Sequence, residues 1–283
     1  LAFGLVSAAA AYFFRGGWPE IAASGALGLG IGLLSRLASG RPALARVFEP
    51  LAATLAAAVT TALAASAGGL STFVVVLAGL IVLIPGFTLT VAITELATRH
   101  LVAGSARLAG AGAVLFGLVF GVAVGTTLAE GLLGTPPALE PAPPPGEVLW
   151  LALLVAAAGL TVLFRARPRD FGWIFAAGLV AVEGVRLGRL LLGPELGAFL
   201  GAFLVGAAGN LVARWLHRPA ALLQVPGLIL LVPGSLGFRS LSSLLHRDVL
   251  SGVHTAFEMT LVAIALTTGL LLAGLVAPPR RAL

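Results

Sequence analysis

Long apolar runs alternate with short polar breaks along the whole chain. They fall near 1–14, 21–38, 50–67, 72–98, 108–129, 148–164, 171–187, 195–215, 220–245 and 250–275. A helix needs roughly 20 apolar residues to cross a bilayer core, and the pattern predicts an all-α membrane protein of about ten transmembrane helices. Two runs, the fourth and the ninth, carry a Pro-Gly pair inside the apolar stretch. Pro lacks a backbone N–H and clashes with the preceding turn, while Gly tolerates the bent backbone that follows. Each of these two runs is therefore expected as a pair of half-helices.

The two broken runs are copies. Gly79-Leu-Ile-Val-Leu-Ile-Pro85-Gly86 returns 148 residues later as Gly227-Leu-Ile-Leu-Leu-Val-Pro233-Gly234. Leu96/Leu244, Arg99/Arg247 and Gly104/Gly252 keep that register. Phe14-Arg15 and Phe164-Arg165 match at an offset of 150, and Glu49 and Glu195, which open the third and eighth runs, at 146. The chain divides into a first repeat at 1–134, a linker at 135–147 with six prolines and no arginine, and a second repeat at 148–283. Such a linker is stiff and exposed. Five spans per half is odd, so the second half enters from the opposite side as an inverted repeat. Matched broken helices in two halves point to a transport site.

Composition agrees with a membrane protein. The chain is 59% hydrophobic and 10% charged with a mean hydropathy of +1.08, against about 25% charged residues in soluble domains. It has no cysteine, which excludes disulfides and thiolate metal sites. It begins inside an apolar run, which reads as a fragment or a processed form, with no basic stretch to mark a signal peptide. The net charge of +6 comes from 17 basic residues, every one arginine. Arginines scattered at run ends orient a chain in a membrane and do not build a nucleic-acid surface. With the N-terminus cytoplasmic, twelve arginines (36, 41, 46, 99, 107, 165, 167, 169, 214, 218, 280 and 281) fall inside. Five (15, 186, 189, 239 and 247) fall outside. The positive-inside rule thus favours cytoplasmic termini. Trp18, Trp150, Trp173 and Trp215 stand at run ends, where an aromatic belt would place them. Gly117, Gly121 and Gly125, with Gly197, Gly201 and Gly206, read as close-packing positions between helices.

Ionisable groups at membrane depth cost about 2.5–3.5 kcal/mol on insertion scales, so each needs a reason. Glu95, Glu183 and Glu258 qualify. Glu95 closes Phe87-Thr88-Leu-Thr90-Val-Ala-Ile-Thr94-Glu95, directly after the first break. Hydroxyls beside an acid at a broken helix could hold a small zwitterion and relay a proton. The alternative is a local ion pair between Glu95 and Arg99. Glu258 follows His254 by four residues, and the two share a helix face. They could share a proton, since His titrates near neutrality; a metal site would lack a third ligand. Glu183 has Arg186 at i+3 as a structural partner. Pro233-Gly234-Ser235 offers backbone N–H groups and a hydroxyl, which favour a carboxylate at a half-helix start. Asn210 is a candidate for lining the cavity. Candidate substrate contacts are thus Pro85, Gly86, Thr88, Thr90, Thr94, Asn210, Pro233, Gly234 and Ser235; proton-coupling candidates are Glu95, His254 and Glu258. No phosphate-binding loop, zinc-protease signature or nucleophile elbow occurs, so an enzyme is not expected and no cofactor is called for.

The chain resembles the bacterial threonine/serine exporter family. The resemblance rests on Leu-Ile-Pro85-Gly86 followed by Glu95-Leu and Gly104-x-x-Arg107-Leu, and on Val225-Pro-Gly-Leu-Ile-Leu-Leu-Val-Pro233-Gly234. It implies ten spans and proton-driven export of threonine and serine across a bacterial inner membrane. It also implies a soluble region ahead of the first span in most members. The residues themselves argue only for a small-polar-solute site in a lipid bilayer, and leave open a homo-oligomer. A passive facilitator and a non-transporting scaffold subunit are the other readings.

Overall fold

The computed structural model describes residues 1–278 except 138, 194, 195, 232 and 246. Among them are thirteen α-helices and no strand. In chain order these are α1 (Ala2–Phe13), α2 (Trp18–Ser39), α3 (Pro42–Arg46), α4 (Phe48–Ala67), α5 (Thr72–Gly79), α6 (Gly86–Ala97) and α7 (Leu101–Leu133). They continue as α8 (Val148–Leu163), α9 (Phe171–Leu192), α10 (Gly197–Trp215), α11 (Ala221–Leu231), α12 (Gly234–Leu245) and α13 (Val249–Val276). Glu195 and the arginines at 280 and 281 lie outside the described residues.

Among the described residues, six stretches are long and apolar enough to cross a membrane: α2, Phe48–Ser66 of α4, α7, α10, Ala221–Leu245 and α13. The expected runs at 1–14 and 148–164 form apolar helices of only 12 and 16 residues. The run at 72–98 is split into α5 and α6, with 8 and 12 residues. The run at 171–187 forms α9, which is 22 residues long but carries Glu183, Arg186 and Arg189. Both Pro-Gly pairs stand at helix breaks. α5 ends at Gly79, and the chain turns through Leu80–Ile84 before Pro85 caps α6. α12 likewise begins at Gly234, immediately after Pro233.

The sequence register is written into the backbone. Arg15 and Arg165 close α1 and α8 at φ 62° and 51°, and Arg99 and Arg247 follow α6 and α12 at 66° and 64°. A non-glycine residue in this left-handed region costs about 1–2 kcal/mol. It reverses the chain at a helix C-terminus and satisfies the last carbonyls: His100 N–H reaches Glu95 O at 2.8 Å, and Asp248 N–H reaches Ser243 O at 3.0 Å. Beyond each turn a glycine meets the same leucine. A Cβ on Gly104 would lie 2.7 Å from Leu96 Cγ, and one on Gly252 2.6 Å from Leu244 Cγ.

Contacts gather the chain into two compact units, Leu1–Ile84 with Ala113–Arg165, and Pro85–Gly112 with Ala166–Leu283. The halves 1–134 and 148–283 remain a matter of sequence register. In the first unit α1 packs on α2, α5 and α8, and α4 lies against α7. The α4–α7 seam is set by Gly121 and Gly125, whose absent Cβ atoms would run into the carbonyls of Pro50 and Thr54. In the second unit α10 packs between α9 and α13, and α6 packs on α13 and touches α11 and α12. Phe87 of α6 is driven there by burial, sealing a core of Ala181, Ala202, Val205, Leu228 and Leu266. The α9–α10 seam is glycine on glycine: a Cβ on Gly184 would stand 2.8 Å from Gly201 Cα.

Candidate functional site

The second unit holds a polar stripe along α6. Thr90, Thr94 and Thr98 stand four apart, so their hydroxyls share one face. Each donates to the carbonyl one turn back: Thr90 to Gly86 O at 3.4 Å, Thr94 to Thr90 O at 2.8 Å, Thr98 to Thr94 O at 2.9 Å. Thr94 Oγ1 also lies 3.2 Å from Thr267 Oγ1 of α13. A hydroxyl carries one proton, and that of Thr94 is committed to the shorter bond, so Thr267 is the donor across the helix pair. Thr88, in the first turn of α6, makes no hydrogen bond among the described residues, and Pro85 gives that helix no side-chain cap. The start of α6 therefore presents uncapped N–H groups, a positive dipole end and one free hydroxyl. At the register-matched start of α12, buried Pro233 and Gly234 precede Ser235.

Glu95 has a different partner from the one expected. Both its carboxylate oxygens accept from Arg107 Nε, at 2.8 and 2.9 Å, with Glu95 22% exposed. Arg99 stands past the end of α6, with its backbone left-handed at φ 66°. His254 Nδ1 lies 3.7 Å from Glu258 Oε1, with His254 74% exposed and Glu258 48%. Leu250 and Leu261, on that same face of α13, are exposed too. No group of three His, Cys, Asp or Glu residues able to hold a metal occurs among the described residues. Glu183 makes a long, exposed contact of 3.9 Å with Arg186.

Asn210 is buried in α10, and its Oδ1 accepts from Gln224 Nε2 of α11 at 3.0 Å. Gln224 was not among the candidates; its signal is a lone amide two residues before a proline inside an apolar run. The most buried acid among the described residues was missed as well. Glu20, 3% exposed, accepts from Gly17 N–H at 2.8 Å and from Ser71 N–H at 2.9 Å. It thereby ties the start of α2 to the start of α5 in the first unit. Trp18-Pro19-Glu20 is a helix-start signature, Pro in the first turn with Glu at the third helical position. In the second unit Asp170, 150 residues on, stands before α9 and accepts from Arg218 Nη1 at 2.9 Å.

Comparison with known proteins places this arrangement. Residues 1–129 match the family described as putative threonine/serine exporter, and residues 149–276 match that described as threonine/serine exporter. The chain belongs to the threonine/serine exporter family. It is a multi-pass membrane protein of a family described as exporters and not as enzymes. It is 29% identical over 216 residues to the threonine/serine exporter of Corynebacterium glutamicum, covering 73% of this chain and 44% of that protein. It is 30% identical over 274 residues to pheromone-regulated membrane protein 10 of Candida albicans, covering 92% of this chain and 24% of the relative. The corresponding yeast protein of Zygosaccharomyces rouxii is 29% identical over 261 residues, 88% of this chain and 25% of its own length. The chain thus spans about a quarter to under half of these relatives. No solved structure matches it significantly.

Proposed function

We propose that the chain is a secondary transporter that exports threonine and serine, coupled to the proton gradient by alternating access. In this reading ten spans form two inverted repeats in a bacterial inner membrane, with both termini cytoplasmic. The broken run at Pro85-Gly86 carries the argument, because it aims an uncapped helix start and the free Thr88 hydroxyl at one place. A helix start favours the carboxylate of an amino acid. Thr90 and Thr94, with Pro85, Gly86, Asn210, Pro233, Gly234 and Ser235, are the proposed remaining substrate contacts. Glu95 and the His254–Glu258 pair are the proposed proton carriers.

The test is threonine flux in proteoliposomes with and without an imposed proton gradient, beside Glu95→Gln and Glu258→Gln. Gradient-driven flux that either substitution abolishes supports the exporter. A passive facilitator is the second reading, favoured by the Glu95–Arg107 ion pair, which neutralises the carboxylate without a proton. Flux indifferent to the gradient and to both substitutions would establish it.

A further inference from the structure

The register-matched helix pairs α2–α4 and α9–α10 differ in one respect. In the second unit glycines bring α9 and α10 into backbone contact, Gly184 on Gly201 and Gly188 on Gly197. In the first unit the register, at offsets of 150 and 146, puts Leu34 where Gly184 stands and Leu55 where Gly201 stands. A leucine cannot enter a backbone-to-backbone seam, and α2 and α4 are propped apart. Between them lies a cavity of about 510 Å³. It is lined by the small Ala26, Gly30 and Ala56 and by Leu33, Leu37 and Leu63. Thr60 is its only hydroxyl. This volume falls in the range of ligand pockets, but the lining offers a polar amino acid almost nothing. It suits a hydrocarbon chain.

The charge at one end names the occupant. Leu37 ends the groove beside the α2–α3–α4 connection, where Arg36, Arg41 and Arg46 are all exposed. None of the three has an ion-pair partner among the described residues, and Glu49 is the one acid nearby in sequence. Basic pockets between transmembrane helices on the cytoplasmic side hold anionic lipid headgroups. We propose that the α2–α4 groove binds an anionic phospholipid, with an acyl chain in the groove and the headgroup phosphate on Arg36, Arg41 and Arg46. A second copy of the chain fits less well. A two-fold axis along the membrane normal would bring the two arginine clusters to the same depth and set them against each other. The proposal stands whether or not the chain carries threonine.

The test is native mass spectrometry of the full chain extracted from an equal mixture of phosphatidylglycerol and phosphatidylcholine with identical acyl chains. Wild type should retain phosphatidylglycerol with a preference on the order of tenfold, the scale of a few surface arginines. Gly30→Leu should lose the retained lipid. Nothing lies within 4 Å of a Cβ at that position, so the added side chain starts into open space beside the groove; an unchanged melting temperature is the check. Arg36→Gln/Arg41→Gln/Arg46→Gln should still retain lipid, with the two headgroups now equal. Equal retention by wild type, undiminished retention in Gly30→Leu, or a dimer that Gly30→Leu dissociates would each overturn the proposal.

Discussion

Glu95 is bound to Arg107, twelve residues along the chain, through both carboxylate oxygens at 2.8 and 2.9 Å from one Nε. The link ties the last turn of α6 to α7 across the sharp turn at Arg99. If Glu95 carries protons, it does so by exchanging one for this guanidinium. Glu95→Gln should then bring gradient-driven threonine flux down to the level seen without a gradient. Arg107→Gln should weaken coupling as well, whereas Arg99→Gln should leave it intact. Coupling that survives Glu95→Gln would reduce the ion pair to a strut.

The Thr94–Thr267 contact joins α6 to α13, and its two partners are unequal. Thr94 already donates to Thr90 O at 2.8 Å, so losing Thr267 leaves no donor unsatisfied. Interhelical hydrogen bonds in membranes average about 0.6 kcal/mol. Thr267→Val, which keeps the shape, should therefore cost well under 1 kcal/mol in a steric-trapping or denaturant measurement. Any larger fall in threonine flux would come from loss of a substrate contact.

What the chain declares locally was legible before the structure. Helix breaks at Pro85 and Pro233 follow from missing donors and steric clash within a few residues. The register pairs Arg15 with Arg165 and Arg99 with Arg247, and the structure finds each of them at a chain reversal. Partners distant in sequence were not legible. Nothing near Thr94 names Thr267, 173 residues on. Nothing near Glu95 prefers Arg107 over the closer Arg99. Glu20 stands at a run end, and only the arrival of Ser71 shows it to be a buried bracket. The ten expected runs yield six long apolar stretches among the described residues, for a related reason. Hydropathy sums composition, and it cannot see that α1, α6 and α8 are short or that α9 places three charges on a 22-residue helix.

The Glu20 bracket should matter more to stability than its position suggests. Removing the carboxylate strands the Gly17 and Ser71 N–H groups, and an unsatisfied buried donor costs about 1–3 kcal/mol. Glu20→Ala should lower thermal stability by that order, and Glu20→Gln, with one acceptor oxygen left, by less. Equal losses in the two variants would mean that packing and not hydrogen bonding is at stake.

Asp248 caps α13 and accepts from Ser251 N–H at 3.1 Å. Hydrogen bonds from Ser251, side chain first and backbone second, hold its carboxyl below the ordinary aspartate range. A depressed carboxyl contributes stability above its unfolded-state pKa and loses it as pH falls through the folded value. The first turn of α13 should therefore fray only under acid, below the usual carboxylate range. Amide hydrogen exchange at Ser251 should reveal this, and Asp248→Asn should remove the acid transition.

Glycine spacing along α7 gives a test with its control in the same helix. A Cβ on Gly121 would overlap the Pro50 carbonyl and lie 2.9 Å from Ala53 Cβ; one on Gly125 would overlap the Thr54 carbonyl. Backbone carbonyls cannot swing aside as side chains do, so relief requires α4 and α7 to separate. Overpacking of this kind costs about 1–3 kcal/mol. Gly112, on the same helix, has nothing within 4 Å. There an added methyl meets no neighbour, and alanine is favoured over glycine in a helix by about 0.5–1 kcal/mol. Gly121→Ala and Gly125→Ala should thus lower the melting temperature in detergent while Gly112→Ala raises it. The opposite signs matter, because all three substitutions change helix propensity equally and only the seam differs. Should all three variants gain stability, α4 and α7 would not be in backbone contact, and the glycines at 121 and 125 would have lost their structural reason.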